Sequence, residues 1–237
     1  MMKKTVGILF ADSMEYAPFL EYALREHEAT EKTYHGNRSV SYIMKSKSGE
    51  LQIIAVECGI GKVQAASATA FLIADSQADY ILNAGLSGAI SAVKREDIVA
   101  GESYIECDFD LRAIGYDLAV RPDGEEYIHP ADETLLSYAK KIDSVKIGRL
   151  GTGDLFLADR EKKQMFKQMF NLTAFDMETG AIAAVCRKNN IPMLSVRKIS
   201  DDADDASKDD YTEMNNRAEA CLTNILAKIL KMMLADI

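Results

Sequence analysis

Short β-rich runs alternate with longer segments of helical period along most of the chain. That alternation restricts it to a largely parallel sheet covered by helices, the α/β class. The runs are "TVGILF", "SVSYIMKS", "LQIIAVEC", "DYILNAG", "GESYIEC", "VKIGRLGTG", "TAFDM" and "MLSVRKIS", rich in Val, Ile, Tyr and Phe. The helical segments are 14–27, 62–74, 132–142, 159–169, 178–189 and 211–234. Between "SVSYIMKS" and "LQIIAVEC" stands only a short Ser-Gly turn, so these two runs read as a hairpin and make the sheet mixed. At 237 residues, with no Pro/Gly/Ser-rich linker, the chain is expected to form one domain over residues 1–237: a central mixed β-sheet surrounded by helices.

Charge and cysteine usage exclude several classes. A net charge of -9 argues against nucleic acid, whose backbone is held by clustered Lys and Arg. Cys58, Cys107, Cys186 and Cys221 are scattered, with no C-x-x-C pair, so neither a disulfide framework nor a zinc site is expected and a cytoplasmic location fits. The apolar run after the basic start is short and meets Asp12 and Glu15 at once, unlike a signal peptide. No stretch approaches the roughly 18 apolar residues of a membrane span. His27, His35 and His129 lie in no ligand spacing, and no metal or cofactor is expected. The G-x-S-x-G elbow of α/β hydrolases does not occur.

Most of the strand runs end in glycine or an acid: Asp12 and Glu15, Gly59 and Gly61, Gly85 and Gly88, Gly151 and Gly153, then Asp176 and Asp201. In open α/β sheets ligands bind beyond the carboxyl ends of the strands, so these positions can converge on one pocket. "ECGIGKVQAA" places Gly59 and Gly61 before a helix, which reads either as a tight turn or as an anion-binding helix start, although it lacks the full phosphate-loop patterns. Gly85 and Gly88 in "NAGLSGAI" allow either a plain strand-to-helix turn or close approach to a ligand. The run "SDDADDASKDD" lacks the glycine and ligand alternation of a calcium loop and reads as solvated. Asp201 ends an apolar run near Arg197, and the two could form a structural ion pair. Asp176 and Glu178, bracketing Met177 at the end of another apolar run, are costly to bury unless paired or used.

"NAGLSGAI", "GTGDLFL", "FDMETGAIAAVC" and "VRKISDDAD", in this order and spread over much of the chain, resemble the purine nucleoside phosphorylase superfamily. Within it they are most similar to the methylthioadenosine/S-adenosylhomocysteine nucleosidases, whose N-terminal segment and "GIGKVQAA"-like turn also match. The resemblance implies hydrolysis of the N-glycosidic bond of 5′-methylthioadenosine or S-adenosylhomocysteine, a purine nucleoside substrate, and a homodimer. It implies that Glu178 binds the ribose 2′- and 3′-hydroxyls over Met177, and that Asp201, positioned by Ser200, supplies a proton or strong hydrogen bond to purine N7. Glu15, helped by Arg197, would activate water. Phe156 would stack on the base, with Phe175 nearby and the backbone at Leu157 on the adenine edge. In "DFDLRAIGYDLAVRP", Ile114 and Pro122 would be lid residues supplied by the second subunit, the alternative being an exposed loop.

The chain departs from the nucleosidase pattern at Leu86, where Ser often follows the glycine, so Ser87 or backbone amides must serve the nucleophile instead. An apolar Leu86 leaves a phosphate dianion fewer partners and favours hydrolysis. Phe175 and Asp176 also differ from the commonest nucleosidase residues. A phosphorylase, which would need an arginine cluster for which Arg38 and Arg197 are candidates, and a nucleoside-binding protein without catalysis are the alternatives.

Overall fold

The computed structural model describes residues 2–122, 127–203 and 220–237. Strand β1 (Met2–Phe10) leads into helix α1 (Ser13–Glu26), whose start is capped by Asp12 accepting the Met14 and Glu15 amides. Strands β2 (Thr30–Tyr34), β3 (Asn37–Lys45) and β4 (Gly49–Glu57) form an antiparallel series, with the expected turn between β3 and β4. There follow α2 (Lys62–Ala74), β5 (Tyr80–Ala89), β6 (Ile98–Glu106), a short 3₁₀ turn (Arg112–Ile114), β7 (Ile128–Pro130), α3 (Glu133–Lys140) and β8 (Val145–Thr152). Helix α4 (Arg160–Phe170), β9 (Ala174–Asp176), α5 (Thr179–Lys188), β10 (Met193–Asp201) and α6 (Ala220–Ala235) complete the order. Among the described residues no helix is long and apolar enough to cross a membrane.

The ten strands among the described residues form one mixed sheet. β1 runs parallel between β4 and β5, as expected for β-helix-β alternation, and the β4–β3–β2 end is antiparallel. The other end curls round: β5 pairs with β10, β10 with β6, β6 with β8, β8 with β9, and β9 again with β5. Five strands thus close a ring. Val6, Ile8, Ile53, Ile81, Leu82, Leu194 and Val196 fill the interior between sheet and helices.

Two short strands escape the sequence pattern. β2, "TEKTY", is an edge strand whose residues are all exposed or half-exposed, so it carries no apolar alternation, and β7 has three residues. A third difference bears on function. β5 does not turn at Gly85 but continues to Ala89, so "GLSGA" is part of the ring wall. The expected helix 211–234 is seen from Ala220; residues 211–219 and most of the acidic run lie outside the described residues.

Candidate active site

β10 is buried along its whole length yet carries Ser195, Arg197, Lys198, Ser200 and Asp201. Polar groups so placed must be partnered, and their partners define the site. Asp201 reaches the end of the ring opposite Gly88 of β5, where a bulge interrupts the β10–β5 register. Ser200 Oγ donates to Asp201 Oδ2 at 2.6 Å and the Ala203 amide donates to Oδ1 at 2.8 Å, so both carboxyl oxygens are oriented. Ser200 Oγ also lies 3.3 Å from the Ser87 carbonyl, tying the two strand ends together. A Cβ on Gly88 would lie 2.9 Å from Asp201 Oδ1. The Arg197–Asp201 pair, one of two readings of the sequence, is not the one formed: Arg197 points to Asp176 and Glu178.

Arg197 is wholly buried beneath the cavity. Its Nη2 donates to Asn83 Oδ1 and Thr179 Oγ1, both at 2.7 Å, and Nη1 to the Leu86 carbonyl at 3.3 Å. Asp176 Oδ2 lies 3.4 Å from Nε and Glu178 Oε2 lies 3.5 Å from Nη2. The two acids that bracket Met177 therefore divide their work. Asp176 is satisfied by the protein: Oδ1 accepts the Glu178 and Thr179 amides at the start of α5 and the Thr152 hydroxyl, while Oδ2 accepts Thr179 Oγ1. Glu178 faces the cavity, and its Oε1 accepts the Gly61 amide at 3.0 Å. Burial raises its carboxyl above the usual range against the pull of Arg197.

Glu15 comes from the first turn of α1 and is also buried. Its Oε1 accepts the Leu86 amide at 2.7 Å and its Oε2 the Ala11 amide at 2.9 Å. Burial pushes its carboxyl up to about 8, with Arg197 opposing the shift and Asp12 and Glu178 adding to it. Gly85 makes this possible: a Cβ there would lie 2.5 Å from Glu15 Oε1 and 2.6 Å from Arg197 Nη1. Both glycines of "NAGLSGAI" make room for the protein's own acids and base, rather than forming a turn.

A cavity of about 250 Å³ brings together Glu15, Leu86, Ser87, Phe156, Leu157, Phe175, Met177, Glu178, Ser200 and Asp201. Phe156 is 46% exposed at the mouth, and Phe175 is buried and stacked on Phe166. The Ser87 hydroxyl is buried without a hydrogen-bond partner among the described residues, a group that a bound molecule could satisfy. Arg197 does not line the cavity, and Ile114 and Pro122 stand on the exposed segment after β6, outside its wall. Asp12 and Gly88, expected among the converging strand ends, line the cavity, whereas sequence reasoning missed Ala11, Ile60 and Leu155 as lining residues and Asn83 as the partner of Arg197. An Asn inside the apolar run "YILNAG" was the available signal for the last. Among the described residues no group of three His, Cys, Asp or Glu is arranged to hold a metal.

Comparison with known proteins shows the family. A family model described as the phosphorylase superfamily matches residues 5–231. The 5′-methylthioadenosine/S-adenosylhomocysteine nucleosidase of Marinomonas sp. is 31% identical over 187 residues, 76% of this chain and 80% of that protein. The aminodeoxyfutalosine nucleosidase of Campylobacter jejuni is 30% identical over 235 residues, 97% of this chain and 98% of that protein. Among solved structures, the Helicobacter pylori 5′-methylthioadenosine/S-adenosylhomocysteine nucleosidase with butyl-thio-DADMe-Immucillin-A superposes with a TM-score of 0.90 at 26% identity, covering 98% of this chain and 100% of that one.

Proposed function

The chain belongs to the phosphorylase superfamily, and from that premise we propose that it hydrolyses 5′-methylthioadenosine, S-adenosylhomocysteine or both to release adenine, with Asp201, Glu15 and Glu178 as its working acids. It is an enzyme of the N-glycosidase class, as its named relatives are. In the reaction the base departs as the glycosidic bond breaks and positive charge develops on the ribose. Asp201 donates a proton or a strong hydrogen bond to purine N7, held in aim by Ser200 and the Ala203 amide. Glu178 accepts the ribose hydroxyls, with Met177 beneath the sugar, and its charge stabilises the developing cation. Glu15 takes the proton of the attacking water, and Ser87 offers the hydroxyl that Leu86 lacks. Phe156 and Phe175 flank the base and Leu157 binds its edge. Arg197 acts from below, as a positioning residue for Glu178 and Asp176.

One observation carries hydrolysis over phosphorolysis. The amides that would cradle a phosphate are filled by the chain's own carboxylates: Leu86 donates to Glu15, Gly61 to Glu178, and Lys62 to Asp154 at 2.8 Å. A phosphate dianion would have to displace these carboxyl groups from the amides they occupy. Neither candidate arginine supports it, since Arg38 is engaged by Glu31 and Glu57 at 3.2 and 3.3 Å and Arg197 is buried. The purified protein is expected to release adenine from methylthioadenosine at the same rate with and without phosphate, read by adenine formation. Strict dependence on phosphate would establish the phosphorylase, and no turnover of any purine nucleoside the binding protein. The match to an aminodeoxyfutalosine nucleosidase over 97% of this chain favours testing that nucleoside alongside.

The proposal extends to assembly. Ile60, Val63, Ile114, Tyr116 and Phe156 are exposed apolar residues, two of them lining the cavity, and a second copy of the chain would cover such side chains and bring Ile114 and Pro122 to the neighbouring 5′-group. Sedimentation at micromolar concentration is expected to give a dimer. A fully active monomer would remove the lid role of Ile114 and Pro122.

A further inference from the structure

One charged cluster beside the cavity is not used by the chemistry above. Lys62 Nζ lies 2.6 Å from Asp108 Oδ1 and 3.5 Å from Glu106 Oε2. Asp108 Oδ2 accepts the Asp154 amide at 2.9 Å, and Asp154 Oδ1 accepts the Lys62 amide at 2.8 Å. These contacts form a circuit: the Lys62 side chain holds Asp108, Asp108 holds the Asp154 backbone, and the Asp154 side chain holds the Lys62 backbone. Arg121 extends it, donating to Glu106 Oε1 at 2.6 Å while stacking over Phe109. The side chains of Lys62, Glu106 and Asp108 are 18%, 14% and 21% exposed, so their charges are screened less than those of surface pairs.

The circuit joins three segments that each lead to the cavity. Lys62 follows Gly61, whose amide holds Glu178, and the Asp154 carboxyl lies so close to Gly61 that a Cβ there would meet Oδ1 at 3.0 Å. Asp154 precedes Leu155, Phe156 and Leu157, which line the base side. Asp108 opens the segment that carries Ile114 and ends at Arg121. We propose that the ring through Lys62, Asp108 and Asp154 sets the distance between the ribose-binding Glu178 and the Leu155–Leu157 wall, making Lys62 a positioning residue for nucleoside binding rather than for bond breaking. It rests on the nucleosidase reading above for what is bound. The ring contains no contact to Asp201 or Glu15 and reaches Glu178 only through the Gly61 amide, so its loss shifts the placement of Glu178 and acts mainly on binding, while the proton-transfer groups stay in place and Glu178 keeps the charge that stabilises the cation.

Steady-state kinetics of adenine release by the full chain test this. Lys62→Met is expected to raise KM about tenfold with kcat kept within about threefold, the scale of one lost charge-assisted contact. Lys62→Arg, long enough to span the same two carboxylates, is expected to return KM to within about threefold of the parent. Asp154→Ala opens the ring from its other side and is expected to give the same split, so the test survives if one variant folds poorly. An unchanged KM in Lys62→Met, a fall in kcat at constant KM, or failure of arginine to rescue would overturn the proposal. Failure of the nucleosidase reading is a separate result, the absence of adenine release by the parent protein. In that event hydrogen exchange decides the ring alone: the Asp154 amide is expected to exchange about tenfold faster in Lys62→Met, and unchanged exchange would overturn it.

Discussion

Replacement of Asp201 by Asn is expected to lower kcat by about 10²–10⁴-fold while leaving KM within a few-fold of the parent, because the amide keeps the shape of the carboxyl and can still meet N7 but has no acidic proton to give. The structure separates this from a stability effect. Were Asp201 the partner of Arg197, its loss would strand a buried guanidinium and lower the melting temperature sharply. Arg197 is instead held by Asn83, Thr179, Asp176 and Glu178, so it keeps its partners in the variant. The Ser200 hydroxyl and the Ala203 amide both donate to Asp201, and Asn offers one acceptor oxygen for two donors, at a cost of about 1 kcal/mol. Steady-state kinetics and thermal melts of the same preparation check both halves. A normal kcat in Asp201→Asn would end the mechanism proposed here.

Glu15→Gln is expected to be as damaging, with turnover down by about 10²–10⁴-fold, because a Gln in this place cannot accept the proton of water. Its signature lies in pH. Burial pushes the Glu15 carboxyl up to about 8, so kcat/KM of the parent protein should rise with pH through neutrality and level off above about 8, as the basic form becomes populated. Stability should move the other way. A carboxyl raised from 4.5 to about 8 holds a proton in the folded chain that the unfolded chain has released, so stability contributed by the neutral form is complete below 4.5 and is lost as pH rises to about 8. Glu15→Gln removes the ionisation and should flatten both profiles across that window. A parent kcat/KM that is flat from pH 6 to 9 would count against Glu15 as the base.

The parts of this molecule that could be read from its sequence are those in which a local pattern reports a local fact. Runs of Val and Ile broken by helical period become the parallel core strands, and Asp12 and Asp159 before their helices become caps. The acids at strand ends do meet at one cavity: Glu15 and Asp201 come from the ends of β1 and β10, both parallel to β5, while Asp176 and Glu178 arrive from β9, which the ring closure sets antiparallel to β5. What could not be read are facts that belong to pairs distant in the chain. Arg197 stands four residues from Asp201, yet its partners come from β5 and from the start of α5. Gly85 looks like a turn because its reason is a carboxylate 70 residues earlier, in α1. Asp176 and Glu178, equivalent in sequence, are separated only by which of them caps α5 and which meets Gly61. β2 is held by its antiparallel pairing to β3 and not by an apolar face of its own.

The closure of five strands into a ring has a consequence for how variants of this protein will behave in a cell. β5, which carries Leu86 and Ser87, belongs to three ladders at once, with β1, β9 and β10. Opening the site by local fraying would break all three, so the geometry around Glu15 and Asp201 is lost only when the fold is lost. Core substitutions remote from the cavity should therefore leave each surviving molecule with its full turnover and act instead on how many molecules survive. A destabilisation of about 1–2 kcal/mol is enough to change abundance several-fold through proteolysis of the unfolded chain. For most positions in this sequence, the phenotype of a mutation is then a matter of copy number rather than of chemistry.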